Sequence, residues 1–295
     1  LLICENDEDA NVAKAEIARI FSSKDLGAAQ WILGIKIDRN PSTKTISLSQ
    51  ESMIAKAADK YLPETTRPFH TPMEEKVEWD LHLVPLDQDT KRQYQALLGT
   101  LLYIARFTRP DIITSVARLC RFAAHPTEEH LHSAFRVLSY LNHTKSDTLS
   151  LGGVHDQLIL RAYSDSDWAG DAAAKSKSTT GYVIFLGDSP VCWRSAKQPC
   201  VATSTCAAEY IAISECVKEI IWLQRLCIDL KLPNQRPTTV YCDNQAAIET
   251  LRGDGKFSAS KHIDLRYHFI QDHEEKGDIK GTFISTSSNV ADALT

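Results

Sequence analysis

The sequence holds no Cys-x-x-Cys pair, although it has eight cysteines. They stand apart at positions 4, 120, 192, 200, 206, 216, 227 and 242, and several fall within apolar helix or strand patterns. That scatter argues against a disulfide framework or a zinc ribbon and predicts reduced thiols packed as small hydrophobes. His130 and His132, and the group His262, His268 and His273, lack a second compact ligand pair, so they do not read as a zinc site. No apolar run approaches the roughly 20 residues that a bilayer-spanning helix needs. The first residues carry neither the basic stretch nor the cleavage site of a secretory leader. No membrane partner is expected, and the expected compartment is the cytosol or nucleus. An excess of positive charge is missing too: Lys and Arg total 33 against 38 Asp and Glu, a net charge of −5. A nucleic-acid partner would therefore have to be met by a local basic patch. Repeats and low-complexity tracts are absent, and 295 residues exceed the usual single-domain size, which predicts two domains with separate cores.

What is present divides near residues 144–158. Before that break, Leu1 to Cys4 reads as a buried strand fragment and Glu8 to Phe21 as a helix. Trp31 to Ile37 and Thr45 to Ser49 alternate as a hairpin across Asn40-Pro41, and Gln50 to Tyr61 reads as a helix. Prolines at 63, 68, 72 and 85 mark an extended connector. Three helices follow: Lys91 to Arg106, Asp111 to Ala123 behind Pro110, and Thr127 to Asn142 with acids in its first turn. After the break, Leu158 to Tyr163, Gly181 to Leu186 and Val191 to Trp193 read as a three-strand meander. A long amphipathic helix, Thr205 to Leu230, leads to a strand at Thr238 to Cys242. Helices at Gln245 to Leu251 and Lys261 to Glu275, a strand at Ile279 to Ile284 and a helix starting at Asn289 complete a mixed α/β (α+β) domain with five strands.

Four carboxylates in this second half carry the chemistry. Asp165 lies in Arg161-Ala-Tyr-Ser-Asp165, Glu209 in Ser204-Thr-Cys-Ala-Ala-Glu209, Asp243 in Val240-Tyr-Cys-Asp243 and Asp292 in Asn289-Val-Ala-Asp292. A parallel crossover from the first strand through the long helix to Thr238–Cys242 would place Asp165 and Asp243 at neighbouring strand ends, with Glu209 facing them one turn into the helix. Acids gathered in this way repel one another unless divalent cations lie between them, and an oxygen-only donor set suits Mg²⁺ or Mn²⁺. Two such ions roughly 3.5–4 Å apart are the usual clamp for in-line displacement at a phosphodiester.

Several ordered motifs extend the argument. Tyr163-Ser-Asp165-Ser-Asp-Trp-Ala-Gly-Asp171, Ser178-Thr-Thr-Gly-Tyr182, Ala208-Glu-Tyr210, Cys242-Asp-Asn-Gln-Ala-Ala247, Lys261-His-Ile-Asp-Leu-Arg-Tyr-His-Phe269 and Ala291-Asp-Ala-Leu-Thr295 resemble the ribonuclease H domain of Ty1/copia-type retrotransposon polyproteins. Gln95-Ala-Leu-Leu-Gly-Thr-Leu-Leu-Tyr103 and Thr108-Arg-Pro-Asp111 resemble the reverse-transcriptase thumb and connection that precede it. The resemblance implies the end of a palm at 1–62, a connector at 63–92, a helical thumb and connection at 93–150 and a ribonuclease H-like domain at 158–295. The polymerase's paired aspartates after Tyr-Val are not in the sequence, so DNA synthesis is not expected of this chain. The sequence stops at Thr295, early in the last expected helix, which predicts a weakly anchored Asp292. The stretch Ser285-Thr-Ser-Ser-Asn289 lacks the histidine that cellular ribonucleases H carry there.

The implied reaction is hydrolysis of the RNA strand of an RNA/DNA hybrid with two Mg²⁺, Mn²⁺ substituting. In it Asp165 bridges both ions, Glu209 and Asp243 hold the ion beside the leaving group, and Asp292 with Asp165 holds the ion that activates water. Ser204, Thr205, Asn244 and Gln245 are short polar groups placed to reach the RNA minor groove. Lys175, Lys177, Arg194 and Lys197 are the candidate phosphate contacts. Asp167 and Asp171 read as turn residues, Glu215 and Glu219 as a solvated helix face, and Trp193, Trp222, Tyr267 and Phe269 as core. Two function classes remain open: the nuclease, acting in a retrotransposon particle, and an inactive remnant that only holds nucleic acid or a fuller polymerase subunit.

Overall fold

The structure is a computed structural model that describes residues 4, 6–74, 77, 79, 84–153, 158–168, 177–233, 235–253 and 261–295, without side chains at 261–265. The strand expected at Leu1 to Cys4 lies outside these residues except for Cys4, which is exposed. Helix α1 (Asp7–Ile20) begins where the Asn6 side chain accepts the Asp9 N–H, and Asp7, Glu8 and Asp9 complement the helix dipole. Strands β1 (Trp31–Ile32), β2 (Ile35–Asn40) and β3 (Thr45–Ser49) form the expected antiparallel hairpin, followed by α2 (Glu51–Tyr61).

An unexpected fourth strand joins that sheet. Strand β4 (Leu149–Gly152) returns to pair antiparallel with β3, from Thr45↔Gly152 to Leu48↔Leu149. Glycine is required at its end: Gly152 has φ +83°, and a Cβ there would stand 2.5 Å from the Lys44 carbonyl oxygen. Between β3 and β4 lies the helical layer. Helix α3 (Gln88–Phe107) starts three residues before its expected position because Asp87 caps the N–H groups of Asp89 and Thr90. The segment behind Pro110 opens with a 3₁₀ turn at Pro110–Ile112 before α4 (Ile113–Cys120), and α5 (Glu128–His143) has a reciprocal cap between Thr127 and His130. Tyr94, Leu97, Leu101, Val116, Leu119, Val137 and Leu141 form the core of this layer. Arg109, 4% exposed, ties the end of α3 to the end of α5 through Asp111 and both oxygens of Thr144.

The second sheet contains β5 (Leu160–Asp167), β6 (Thr179–Leu186), β7 (Ser189–Lys197), β8 (Thr238–Cys242) and β9 (Ile279–Phe283) in the order β7-β6-β5-β8-β9. Strands β5, β6 and β7 are antiparallel, whereas β5, β8 and β9 are parallel. This is the mixed five-stranded ribonuclease H-like sheet expected from the sequence. Helix α6 (Thr205–Asp229) covers one face, packing Tyr210, Ile213, Val217 and Ile220 against Leu160, Ala162, Ile184 and Val240. Helices α7 (Gln245–Leu251) and α8 (Lys261–Glu275) flank it.

The other face meets the helical layer. Val183 belongs to the same core as α3 to α5, Tyr163, Phe185 and Trp193 pack against it, and the Trp193 indole N–H donates to the Ala105 carbonyl at 2.9 Å. Two expectations about α6 are corrected. Trp222, read as core, is 56% exposed on the outward stripe it shares with Lys218 and Arg225. Glu215, read as solvated, is half-buried and receives Lys218 at 2.8 Å and Arg266 at 2.6 Å.

The C-terminal segment forms two 3₁₀ turns, Thr286–Ser288 and Asp292–Leu294, in place of the expected helix. It is also anchored, contrary to the sequence reading. Ala291 is fully buried, Leu294 enters the helical core, and the Thr114 hydroxyl donates to the Ala293 carbonyl at 3.0 Å. Gly181 on β6 makes the approach possible, because a Cβ there would fall 2.9 Å from the Ala291 carbonyl oxygen.

Candidate active site

Asp165 stands near the end of β5, a strand that runs four residues past its expected limit at Tyr163. Asp243 is the first residue after β8, the parallel neighbour of β5. Glu209 lies one turn into α6, whose N-terminus is fixed by the Ser204 side chain accepting the Ala207 N–H. Asp292 opens the last 3₁₀ turn, which the Asn289 side chain helps to set by accepting the Ala291 N–H. The four acids line one cleft of about 500 Å³, together with Ser166, Asp167, Trp168, Thr205, Asn244 and Thr295. Ligand oxygens of Glu209 and Asp243 and the Cys242 sulfur lie within 4.8 Å of one another.

The two deepest acids are held by neutral donors. Asp165, 6% exposed, accepts the Thr295 hydroxyl at 2.7 Å on one oxygen and the Asn289 amide at 3.3 Å on the other. Burial raises its pKa to about 6; Asp243, Asp292 and Asp167 add to the rise and the Thr295 bond opposes it. Glu209, 3% exposed, accepts the Ser166 N–H at 3.0 Å and the Ser166 hydroxyl at 2.9 Å. Burial, followed by the charge of Asp165, lifts its pKa to about 8 against those bonds. The Cys242 thiol, pushed far up by burial and by Glu209, keeps its proton and donates to Glu209 at 3.5 Å. Asp243 accepts the Thr286 hydroxyl at 2.7 Å. None of the described ion pairs includes any of the four carboxylates.

This donor set fits a divalent metal. The carboxylates repel one another, lack a cationic side-chain partner among the described residues and offer hard oxygens. The neighbouring thiol remains protonated, which leaves the set suited to Mg²⁺ or Mn²⁺.

The sequence-derived contact residues are spread more widely. Thr205 and Asn244 line the cleft, and Asn244 also caps α7 by accepting the Ala247 N–H. Ser204 is occupied with its own capping bond, and Gln245 donates to Glu249 at 3.0 Å on the outer side of α7. Lys177 donates to the Pro199 carbonyl at 2.6 Å. Arg194 is exposed within β7 and Lys197 ends that strand; neither lines the cleft. Lys175 and Asp171 lie outside the described residues. Asp167, read as a turn residue, ends β5 and borders the cleft. Ser166, Asn289, Thr286 and Thr295, which hold the acids in place, were not singled out in the sequence.

No family model matches the chain. It is 37% identical over 287 residues to the retrovirus-related Pol polyprotein from transposon TNT 1-94 of Nicotiana tabacum, a match covering 96% of this chain and 21% of that protein. It is 37% identical over 214 residues to a putative transposon Ty5-1 protein of Saccharomyces cerevisiae, covering 70% and 66% of the two. Among solved structures it is similar to LC11-RNase H1 in complex with RNA/DNA hybrid, at 19% identity and a TM-score of 0.35 over 46% of this chain and 92% of that one. The chain spans about a fifth of the length of the curated plant polyproteins it matches.

Proposed function

This chain belongs to the retrovirus-related Pol polyproteins of Ty1/copia-type transposons, and from that membership we propose that its second half is a metal-dependent ribonuclease H that hydrolyses the RNA strand of RNA/DNA hybrids. The observation that carries this reading is the convergence of Asp165, Glu209, Asp243 and Asp292, from four separate elements, on one cleft without a cationic partner among the described residues. Asp165 and Asp292 would hold one Mg²⁺ or Mn²⁺, and Asp165, Glu209 and Asp243 the other. Bound ions supply an activated water and neutralise charge on the leaving oxygen.

The chain's own part is to present the carboxylates. Ser166 and Cys242 fix Glu209, Asn289 and Thr295 fix Asp165, and Thr286 reaches Asp243. Thr205 and Asn244 border the cleft, where they would contact the ribose edge of the RNA strand. Lys175, Lys177, Arg194 and Lys197 are proposed to meet phosphates farther out, Ser204 and Gln245 to support the minor-groove contact. The proposed division of the chain is the one stated from sequence, palm end, connector, thumb with connection, and nuclease. The proposed setting is a cytoplasmic retrotransposon particle or the nucleus, with the remaining polymerase portion as partner.

A labelled RNA strand tests the reading. It is expected to be cut by the purified chain with Mg²⁺ or Mn²⁺ when paired to DNA, and spared when single-stranded or paired to RNA. Asp165→Asn is expected to abolish cutting while leaving hybrid binding intact. Binding without cutting by the unaltered chain would replace this reading with the remnant scaffold.

A further inference from the structure

Asp243 is less enclosed than Asp165 and Glu209, and one neutral side chain reaches it. The pairing of β8 with β9 determines which. Cys242 lies opposite Phe283, and the ladder continues one step as the Ile284 N–H donates to the Cys242 carbonyl at 3.0 Å. Asp243 and the residues after Ile284 therefore leave the sheet side by side. The 3₁₀ turn Thr286–Ser288 then brings the Thr286 hydroxyl to Asp243 Oδ2 at 2.7 Å. Among the described residues this is the hydrogen bond that the Asp243 carboxylate receives.

The ligand atoms of Glu209 and Asp243 lie within 4.8 Å of each other, so once both are ionised, as metal binding requires, their repulsion would push the less enclosed Asp243 carboxylate toward solvent. A hydroxyl holding one oxygen opposes that swing. It does so without the positive charge of a lysine or arginine, which would compete with a cation for the same oxygens.

We propose that Thr286 is a positioning residue for metal binding, holding Asp243 in its ligating orientation from the loop after β9. The inference rests on the metal-site reading above and deepens it. Thr286 is exposed and touches no core cluster, so its replacement leaves the fold intact.

The test is calorimetric titration of Mn²⁺ into the full chain, comparing wild type, Thr286→Val, Thr286→Ser and Asp243→Asn, with thermal melts in chelator. Thr286→Val is expected to bind Mn²⁺ about tenfold more weakly, in the range typical of lost outer partners of metal ligands. Thr286→Ser, which keeps the hydroxyl, is expected to bind as wild type does, and the chelator melts of both are expected to match wild type. Cleavage should need about tenfold more Mn²⁺ for half-saturation in Thr286→Val, with kcat at saturating metal unchanged. Wild-type Mn²⁺ affinity in Thr286→Val would overturn the inference, as would an equal loss in Thr286→Ser. Asp243→Asn separates the two failures: if it loses an ion while Thr286→Val does not, the metal site stands and the inference falls. If wild type binds no Mn²⁺, both fall.

Discussion

The Thr114 hydroxyl donates to the carbonyl of Ala293, 179 residues away and adjacent to Asp292. One residue further, Leu294 sits among the side chains of α3, α4 and α5. The segment carrying a candidate metal ligand is thus packed on the helical layer rather than on its own sheet alone.

Leu294→Ala should therefore cost more than an ordinary tail substitution. Deleting most of a side chain that is 7% exposed is expected to destabilise by about 2–5 kcal/mol in denaturant titration. Hybrid cleavage is expected to fall as well, because Asp292 loses its support. A full-strength nuclease in this variant would show that the helical layer does not hold Asp292 in place.

Stability of the metal-free chain should fall as pH rises. Asp165 and Glu209 have folded pKa values of about 6 and about 8, both above the ordinary carboxylate range, so the folded state holds these protons more tightly than the unfolded chain. Their contribution is fully present below about pH 4 and is lost as pH rises through those two values. Thermal melts in chelator should show the loss between about pH 5 and pH 8, and added Mn²⁺ should raise Tm more at the upper end. Glu209→Gln should flatten the upper part of the profile. An apo melting profile that rises over this window would contradict the electrostatics described for the cleft.

His130 gives the opposite slope. Its Nδ1 accepts the Thr127 N–H at 3.0 Å, its Nε2 is buried with no hydrogen-bond partner among the described residues, and its ring lies 4.0 Å from that of Phe122 between centroids. Burial lowers its pKa, so its contribution is fully present above the ordinary histidine value of about 6.5 and is lost as pH falls below that through the lowered folded value. NMR titration of the His130 ring should give a pKa below that of an unperturbed histidine; a value at or above it would mean that the ring is not enclosed as described.

What the sequence made legible had a local or periodic signal. The parallel β5/β8 crossover and the limits of α7 and β8 followed from residue pattern and element order, and Asp165, Glu209 and Asp243 stood out as acids at element ends. What escaped had neither signal. Strand β4 is four residues long, too short to show alternation, and is specified by its partner β3. The C-terminal segment reads as a helix by spacing, but Asn289 and Thr295 spend their side chains on Ser164 and Asp165 instead, bonds that span 125 and 130 residues. Thr286 looked like loop filler because its partner is 43 positions away. Trp222 has core spacing on a helix that already buries most of its circumference, and so faces outward.

The central claim is that four carboxylates form one divalent-metal centre. Anomalous diffraction from crystals of the chain grown with Mn²⁺ tests it directly. The account predicts manganese peaks within coordination distance of Asp165, Glu209, Asp243 and Asp292, with Asp165 shared between two of them. Manganese bound elsewhere while these carboxylates carry none would contradict it.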